Sequence, residues 1–262
     1  MPNLTPFSLE GKVIVQFGGT GLLGRALVES LASAGATLVI ASRNRASLQA
    51  LADREQAAGR KVEIDEVDIT SEPSVTGLRD RVLARHGRVD GIVFNAVSRP
   101  MRNEQDDVAN WVASMQVNAT GLFITLRTFA NAMAAQPTGG SIVNISSIMG
   151  MIGSNPPVYE GTTMGTVPDY FFHKGGMINL TRHYASLYGT RKVRVNVVSP
   201  GGIFNPEKPQ PEPFLGRYNK MTMMNRMGEA REMGGAVVFL LSDASTYITG
   251  VNLPIDGGYT AK

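Results

Sequence analysis

The sequence predicts a doubly wound α/β domain, a parallel sheet of about seven strands with helices on both faces. Three observations predict it. Short runs rich in Val and Ile alternate with longer amphipathic segments along the 262 residues, and strict alternation of strand and helix requires crossovers, hence a parallel sheet covered on both sides. The short runs are apolar almost throughout, as strands buried on both faces are. A glycine-rich turn joins the first run to the first helical pattern.

The elements follow in order. "KVIVQF" (12–17) reads as the first strand, and "RALVESLASAG" as its helix, with Leu27 and Leu31 on one face and Gly35 as the stop. "TLVIAS" (37–42), "KVEIDEVD" (61–68), "VDGIVFN" (89–95), "SIVNISS" (141–147), "VRVNVVS" (193–199) and "NLPID" (252–256) supply the other strands. Two stretches break the rhythm, 148–169, rich in Gly, Pro, Thr and Met, and 201–227, rich in Pro and Met. Both follow a strand, so both rise from the carboxyl edge of the sheet, where open α/β folds bind ligands; loops this long in a compact domain are usually binding loops. With no repeat, low-complexity segment or linker, residues 1–262 are expected to form one domain.

Composition removes several function classes. The net charge of +3 is mild, and the closest basic cluster, Arg43 with Arg45, is too small for a nucleic-acid footprint. Without cysteine there is no disulfide framework, thiol nucleophile or thiolate metal site, and three histidines leave a metal site unexpected. The start "MPNLTPFSLEGKV" carries no secretory pattern. The longest apolar run, "AVVFLL" (236–241), is far short of the ~20 residues that span a bilayer. A cytoplasmic protein without membrane or nucleic-acid partners is expected.

The turn "GGTGLLG" (18–24) lies where a dinucleotide fingerprint must lie. Gly18 permits the tight turn, Gly21 lets backbone approach a pyrophosphate, and Gly24 lets helix pack on strand while the helix N-terminus faces the phosphates. The fold is therefore read as Rossmann-like. The second strand ends in Ser42 and Arg43 where an NAD site usually presents a carboxylate. A guanidinium suits a 2′-phosphate, so NADP(H) is favoured, with NAD(H) as the alternative.

Taken together, the glycine turn, "VD" at 67–68, "FNAV" at 94–97, "VNATG" at 117–121, "IVNISS" at 142–147, "YFFHK" at 170–174, "RVNVVSPGGI" at 194–203 and "LLSDASTYITGVNLPIDGGY" at 240–259 resemble the short-chain dehydrogenase/reductase family. The resemblance implies hydride transfer between a nicotinamide and a ketone or secondary alcohol, with Asn118, Ser147, Tyr170 and Lys174 as the catalytic set. Tyr170 would exchange the proton, since a neighbouring ammonium favours the anion of a phenol. Ser147 would bond the substrate oxygen, Lys174 would also hold the nicotinamide ribose, and Asn118 would support a relay water. Carried across the matching elements, cofactor contacts fall on Gly18, Thr20, Gly21, Leu22 and Leu23; on Ser42, Arg43, Asp68 and Ile69; on Asn95, Ala96 and Val97; and on Tyr170, Lys174, Pro200, Gly201 and Ile203.

A second pair, "YGTRK" (188–192), has the same tyrosine-to-lysine spacing. The helix that starts near 170 begins at the carboxyl edge and runs to the opposite one, so Tyr170 lies at the cofactor end. Tyr188 lies at the far end, where Lys192 can meet terminal carbonyls or solvent.

Several residues depart from the family pattern. The stretch from Ser147 to Tyr170 is longer than usual, and Glu160 stands at the usual tyrosine distance. The extra residues are read as an enlarged lid carrying Tyr159, Glu160, Thr162 and Thr163, which with Ser98, Met149 and Gly202 form the expected substrate side. The glycine spacing resembles that of the extended, sugar-nucleotide branch, with Leu22 where single-domain members often have glycine, and Val97, Phe17 and Asn205 replace commoner residues. The segments around 148–205 resemble reductases of bacterial nonulosonic-acid and other sugar pathways, which implies a sugar, sugar acid or other polyhydroxylated substrate. An epimerase or dehydratase retaining NAD and a non-catalytic redox sensor are the alternatives. The resemblance further implies a homotetramer, with a dimer as the alternative.

Overall fold

A computed structural model describes residues 5–261; residues 1–4 and residue 262 of the predicted domain lie outside the described residues. The seven predicted strands form β1 (Val13–Phe17), β2 (Thr37–Ser42), β3 (Val62–Glu66), β4 (Gly91–Phe94), β5 (Gly140–Ile145), β6 (Val193–Pro200) and β7 (Asn252–Ile255). They make one sheet in the order β3-β2-β1-β4-β5-β6-β7, parallel throughout. Winding reverses between β1 and β4, which opens a crevice at the strands' carboxyl ends.

Helices α1 (Leu22–Ser33), α2 (Arg45–Ala57) and α3 (Glu72–His86) connect the first four strands. Leu27 and Leu31 of α1 are buried as their spacing predicts, and Gly35 takes φ +91°, a left-handed value that suits glycine. One face of the sheet packs Leu27, Leu31 and Leu48 with Val237 and Leu240 of α8 (Gly234–Leu241). The other buries Phe17 edge-on against Phe129, with Leu78 and Met177 in the same cluster. Phe17, which replaces a commoner threonine, is thus core rather than cleft wall.

Helix α4 (Val108–Met115) continues through a π-helical segment, Gln116–Gly121, into α5 (Leu122–Ala134). Such a π segment widens a helix locally and often marks a functional position; here it carries Asn118. Helix α6 (Pro168–Tyr188) starts with proline in its first turn, where the missing N–H is no loss. At its far end Tyr188 is buried, its hydroxyl donating to Asn131 Oδ1 at 2.7 Å, while Lys192 Nζ donates to the Pro137 carbonyl at 3.1 Å. The second tyrosine–lysine pair is engaged in structure.

One stretch read as loop differs. Within 201–227 lies a three-turn helix, α7 (Glu212–Met221), which Pro211 and Pro213 disguise: they stop a preceding strand but are tolerated at a helix start. Phe214 and Tyr218 of α7 join Ile148, Val158, Met227 and Tyr259 in a third, separate core. The inserted 148–169 stretch is therefore packed against α7 and the end of the chain.

Candidate active site

At the crevice, the glycine turn is fixed by its neighbours. Gly18 takes φ +82°, and a Cβ there would meet the Cα of Ala96 at 2.8 Å. Asn95 Nδ2 donates to the Gly18 carbonyl at 2.7 Å, and buried Gln16 donates Nε2 to the Gly24 carbonyl at 2.9 Å. A Cβ on Gly24 would lie 2.5 Å from the Gly18 oxygen, so only glycine lets α1 sit this close. At Gly21, by contrast, a Cβ would meet nothing within 4 Å, leaving open space before an α1 N-terminus that no side chain caps. Bare N–H groups at a helix start, facing open space, are what a pyrophosphate requires. The residues fit a dinucleotide.

The cleft above this turn measures about 390 Å³. It brings together Gly18, Thr20 and Gly21 with Ser42 and Arg43, Asp68 and Ile69, and Asn95, Ala96 and Val97. Asp68 accepts from the side chain and backbone N–H of Thr70, at 2.7 and 2.9 Å, and these bonds, with Arg43 nearby, hold its carboxyl below the usual range. Of the other expected contacts, Leu22 and Leu23 open α1, Tyr170 and Lys174 lie on α6, and Pro200, Gly201 and Ile203 lie at the end of β6. Ala41, Asn44, Val67, Thr70 and Val117 also line the cleft without having been expected. Of these, Val67, inside "VD", and Val117, inside "VNATG", carried a sequence signal.

The carboxyl end of β5 and the first turns of α6 are in backbone contact. Lys174 is 4% exposed, and its Nζ donates to the Ile145 carbonyl at 2.6 Å. Ser146 Oγ donates to the Lys174 carbonyl at 2.9 Å, and a Cβ on Gly150 would meet the Lys174 carbonyl carbon at 2.6 Å. Ser147 opens the short turn between them, its Oγ accepting from the Met149 N–H at 3.2 Å. Burial, with the charge of Arg99 behind it, pushes the Lys174 ammonium down to about 7. Half-buried Tyr170 has Lys174 Nζ 5.7 Å and the Arg99 guanidinium 4.8 Å from its ring centroid. His173 packs edge-on against that ring; burial, Lys174 and Arg99 push its imidazole down to about 3.

Asn118 is spent on structure. Its Nδ2 donates to the Ser98 carbonyl at 2.8 Å and to Ser114 Oγ at 2.9 Å, and its Oδ1 accepts from the Ser98 N–H at 2.9 Å. Ser114 Oγ in turn donates to buried Asp169 at 2.5 Å. This chain ties the π segment and the strip after β4 to the start of α6. Sequence reasoning missed Ser114 and Asp169, neither of which belongs to a motif.

A family model described as enoyl-(acyl carrier protein) reductase matches residues 21–260. The chain belongs to the short-chain dehydrogenase/reductase family. Within it, a 2,5-dichloro-2,5-cyclohexadiene-1,4-diol dehydrogenase of Sphingobium indicum is 33% identical over 263 residues, covering 97% of this chain and 98% of the relative. A cis-4-hydroxycyclohexanecarboxylate dehydrogenase of Sinomonas cyclohexanicum is 32% identical, covering 95% and 97%. Among solved structures, a gluconate 5-dehydrogenase from Burkholderia cenocepacia in complex with NADP and tartrate superposes with a TM-score of 0.88 at 28% identity, covering 99% of each chain. This short-chain dehydrogenase/reductase is thus an enzyme of alcohol and ketone groups. Among the described residues no helix is long and apolar enough to cross a membrane.

On the substrate side of this dehydrogenase/reductase, the expected lid residues fare differently. Tyr159 packs tilted against Phe214, ring centroids 5.4 Å apart, and burial pushes its phenol up; the neighbouring Glu160 is exposed and its carbonyl accepts from Arg217 of α7. Thr162 is consumed locally, its Oγ1 donating to the Tyr159 carbonyl at 2.7 Å and accepting from the Met164 N–H at 3.2 Å. Thr163 is exposed, Met149 packs against the third core, and Gly202 N–H donates to the Tyr218 hydroxyl. Ser98 is held by Asn118. No group of three or more metal-ligating side chains occurs among the described residues.

Proposed function

We propose that this enzyme interconverts a ketone and a secondary alcohol on a small polyhydroxylated molecule, a sugar or sugar acid, with NADP(H) as its preferred cofactor. Bound NADP(H) supplies or accepts the hydride. Tyr170 donates the proton to the carbonyl oxygen in reduction and takes it back in oxidation. Ser147 hydrogen-bonds that oxygen, and Lys174 holds the ribose hydroxyls with its ammonium. Asn118, with its side chain engaged, positions the Ser98 strip and supports a relay water through its main chain. Names of relatives support the substrate class, one a hydroxy-acid dehydrogenase and one a gluconate dehydrogenase bound to NADP.

The observation that carries the cofactor preference is Arg43. It stands at the end of β2 on the cleft wall and also lines an adjoining depression of about 590 Å³, where Arg45, Arg81 and Ser74 meet Asp65, Glu66 and Asp68. A guanidinium there meets a 2′-phosphate with charge-assisted bonds and offers nothing to a free 2′-hydroxyl's proton. In steady-state assays NADPH is expected to exceed NADH by roughly 10- to 100-fold in kcat/KM, and Arg43→Ala to erase most of that ratio by raising the NADPH KM. Equal use of both cofactors by the wild type defeats the preference.

The same reading includes a homotetramer, the dimer being the alternative. In support, Val108 and Val112 of α4, Phe123 of α5, and Phe172 and Leu187 of α6 are exposed apolar side chains, more than a monomer surface usually leaves on neighbouring helices. Light scattering on the purified chain is expected to give four times the chain mass; a monomer at micromolar concentration removes the proposal.

A further inference from the structure

Arg99 stands immediately after the strip that Asn118 holds, with its guanidinium against the ring of Tyr170 and Nη2–H donating to the Tyr170 hydroxyl at 3.4 Å. The side chain is exposed, and no carboxylate pairs with it among the described residues. The other cation at this phenol, Lys174, is already committed to the Ile145 carbonyl, and Asp169, the buried acid nearest in sequence, is bonded to Ser114. Two cationic side chains therefore lie against one phenol ring, which is unfavourable until an anion joins them. Arginine's planar fork is matched to carboxylate geometry.

We propose that Arg99 receives a carboxylate of the substrate, so that the molecule turned over is a small keto acid or hydroxy acid. The inference rests on Tyr170 as the proton donor. A reacting oxygen lies about 3 Å from that hydroxyl and a charge-assisted bond to the guanidinium adds about 2.8 Å. With the 3.4 Å between hydroxyl and Nη2, the carboxylate oxygen falls within about 9 Å of the reacting oxygen. The acid group must then sit on the same small molecule, a few carbons from the carbonyl.

The test uses the NADPH-bound enzyme with 4-oxopentanoate and 5-oxohexanoate, each against its methyl ester. Turnover is followed at steady state, and binding by the fluorescence of bound NADPH. The wild type is expected to prefer each acid over its ester by roughly 10- to 100-fold, Arg99→Leu to collapse that ratio, and Arg99→Lys to restore part of it. Esters equal to acids in the wild type, binding of neither, or a preference that survives Arg99→Leu overturns the proposal. Failure of the underlying reading looks different: an active Tyr170→Phe enzyme would remove the proton donor, while the acid-to-ester binding ratio would still stand or fall with Arg99.

Discussion

Tyr170→Phe is expected to lower kcat/KM for carbonyl reduction by about 10²- to 10⁴-fold, the usual worth of a positioned proton donor, with NADPH still bound at close to its wild-type affinity. The substitution is clean because every ring contact survives it. Phenylalanine keeps the ring that Arg99 and Lys174 approach at 4.8 and 5.7 Å and its edge-on packing with His173 at 5.3 Å. Only the hydroxyl is lost, along with its 3.4 Å bond to Arg99. Stopped-flow turnover alongside a fluorescence titration of NADPH separates the two effects; weakened binding with unaltered turnover would contradict the role.

Lys174→Met is expected to abolish turnover and yet stabilise the cofactor-free fold below about pH 10. Lys174 has its proton affinity depressed from 10.5 to about 7 by burial first and Arg99 second. Between those values the unfolded chain binds a proton that the folded chain does not, so wild-type stability rises with pH across that window and falls as pH drops toward 7. At about 1.4 kcal/mol per unit, the difference is on the order of 5 kcal/mol. Methionine fills similar volume without a charge, so its stability should be flat there. His173, pushed down to about 3, adds the same sign of dependence but only below its ordinary value of 6.5, outside the range compared. Urea unfolding of both proteins from pH 7 to 10 checks this; parallel profiles would mean that the ammonium is not desolvated.

Strands β1, β2, β4, β5 and β6 were legible because each is a mainly apolar run, a pattern that two-sided burial imposes, while β3 and β7 at the sheet edges are only partly buried and were read from their place in the strand–helix alternation. The cofactor cleft was legible for a related reason: Gly18 and Gly24 answer backbone contacts of 2.8 and 2.5 Å that no other residue satisfies. Helix α7 was hidden because Pro211 and Pro213 read locally as breakers, whereas its formation depends on Phe214 and Tyr218 reaching a core assembled from three distant segments. The Ser114–Asp169 bond was hidden as well, since two polar residues 55 positions apart give no periodic signal. Arg99 belongs to none of the motifs read from the sequence; what distinguishes it is the ring beside it, which only the folded chain supplies.

The small core shared by residues 148–159, α7 and Tyr259 bears on how such pockets can be exchanged. Tyr218 stacks on both Phe214 and Tyr259, at 5.5 and 5.1 Å, and Tyr159 leans on Phe214. A loop graft that swaps 148–169 alone for a shorter stretch from another enzyme would strand Phe214 and Tyr218 in water. Re-engineering of substrate choice in this scaffold therefore has to transplant three discontinuous pieces of chain as one module.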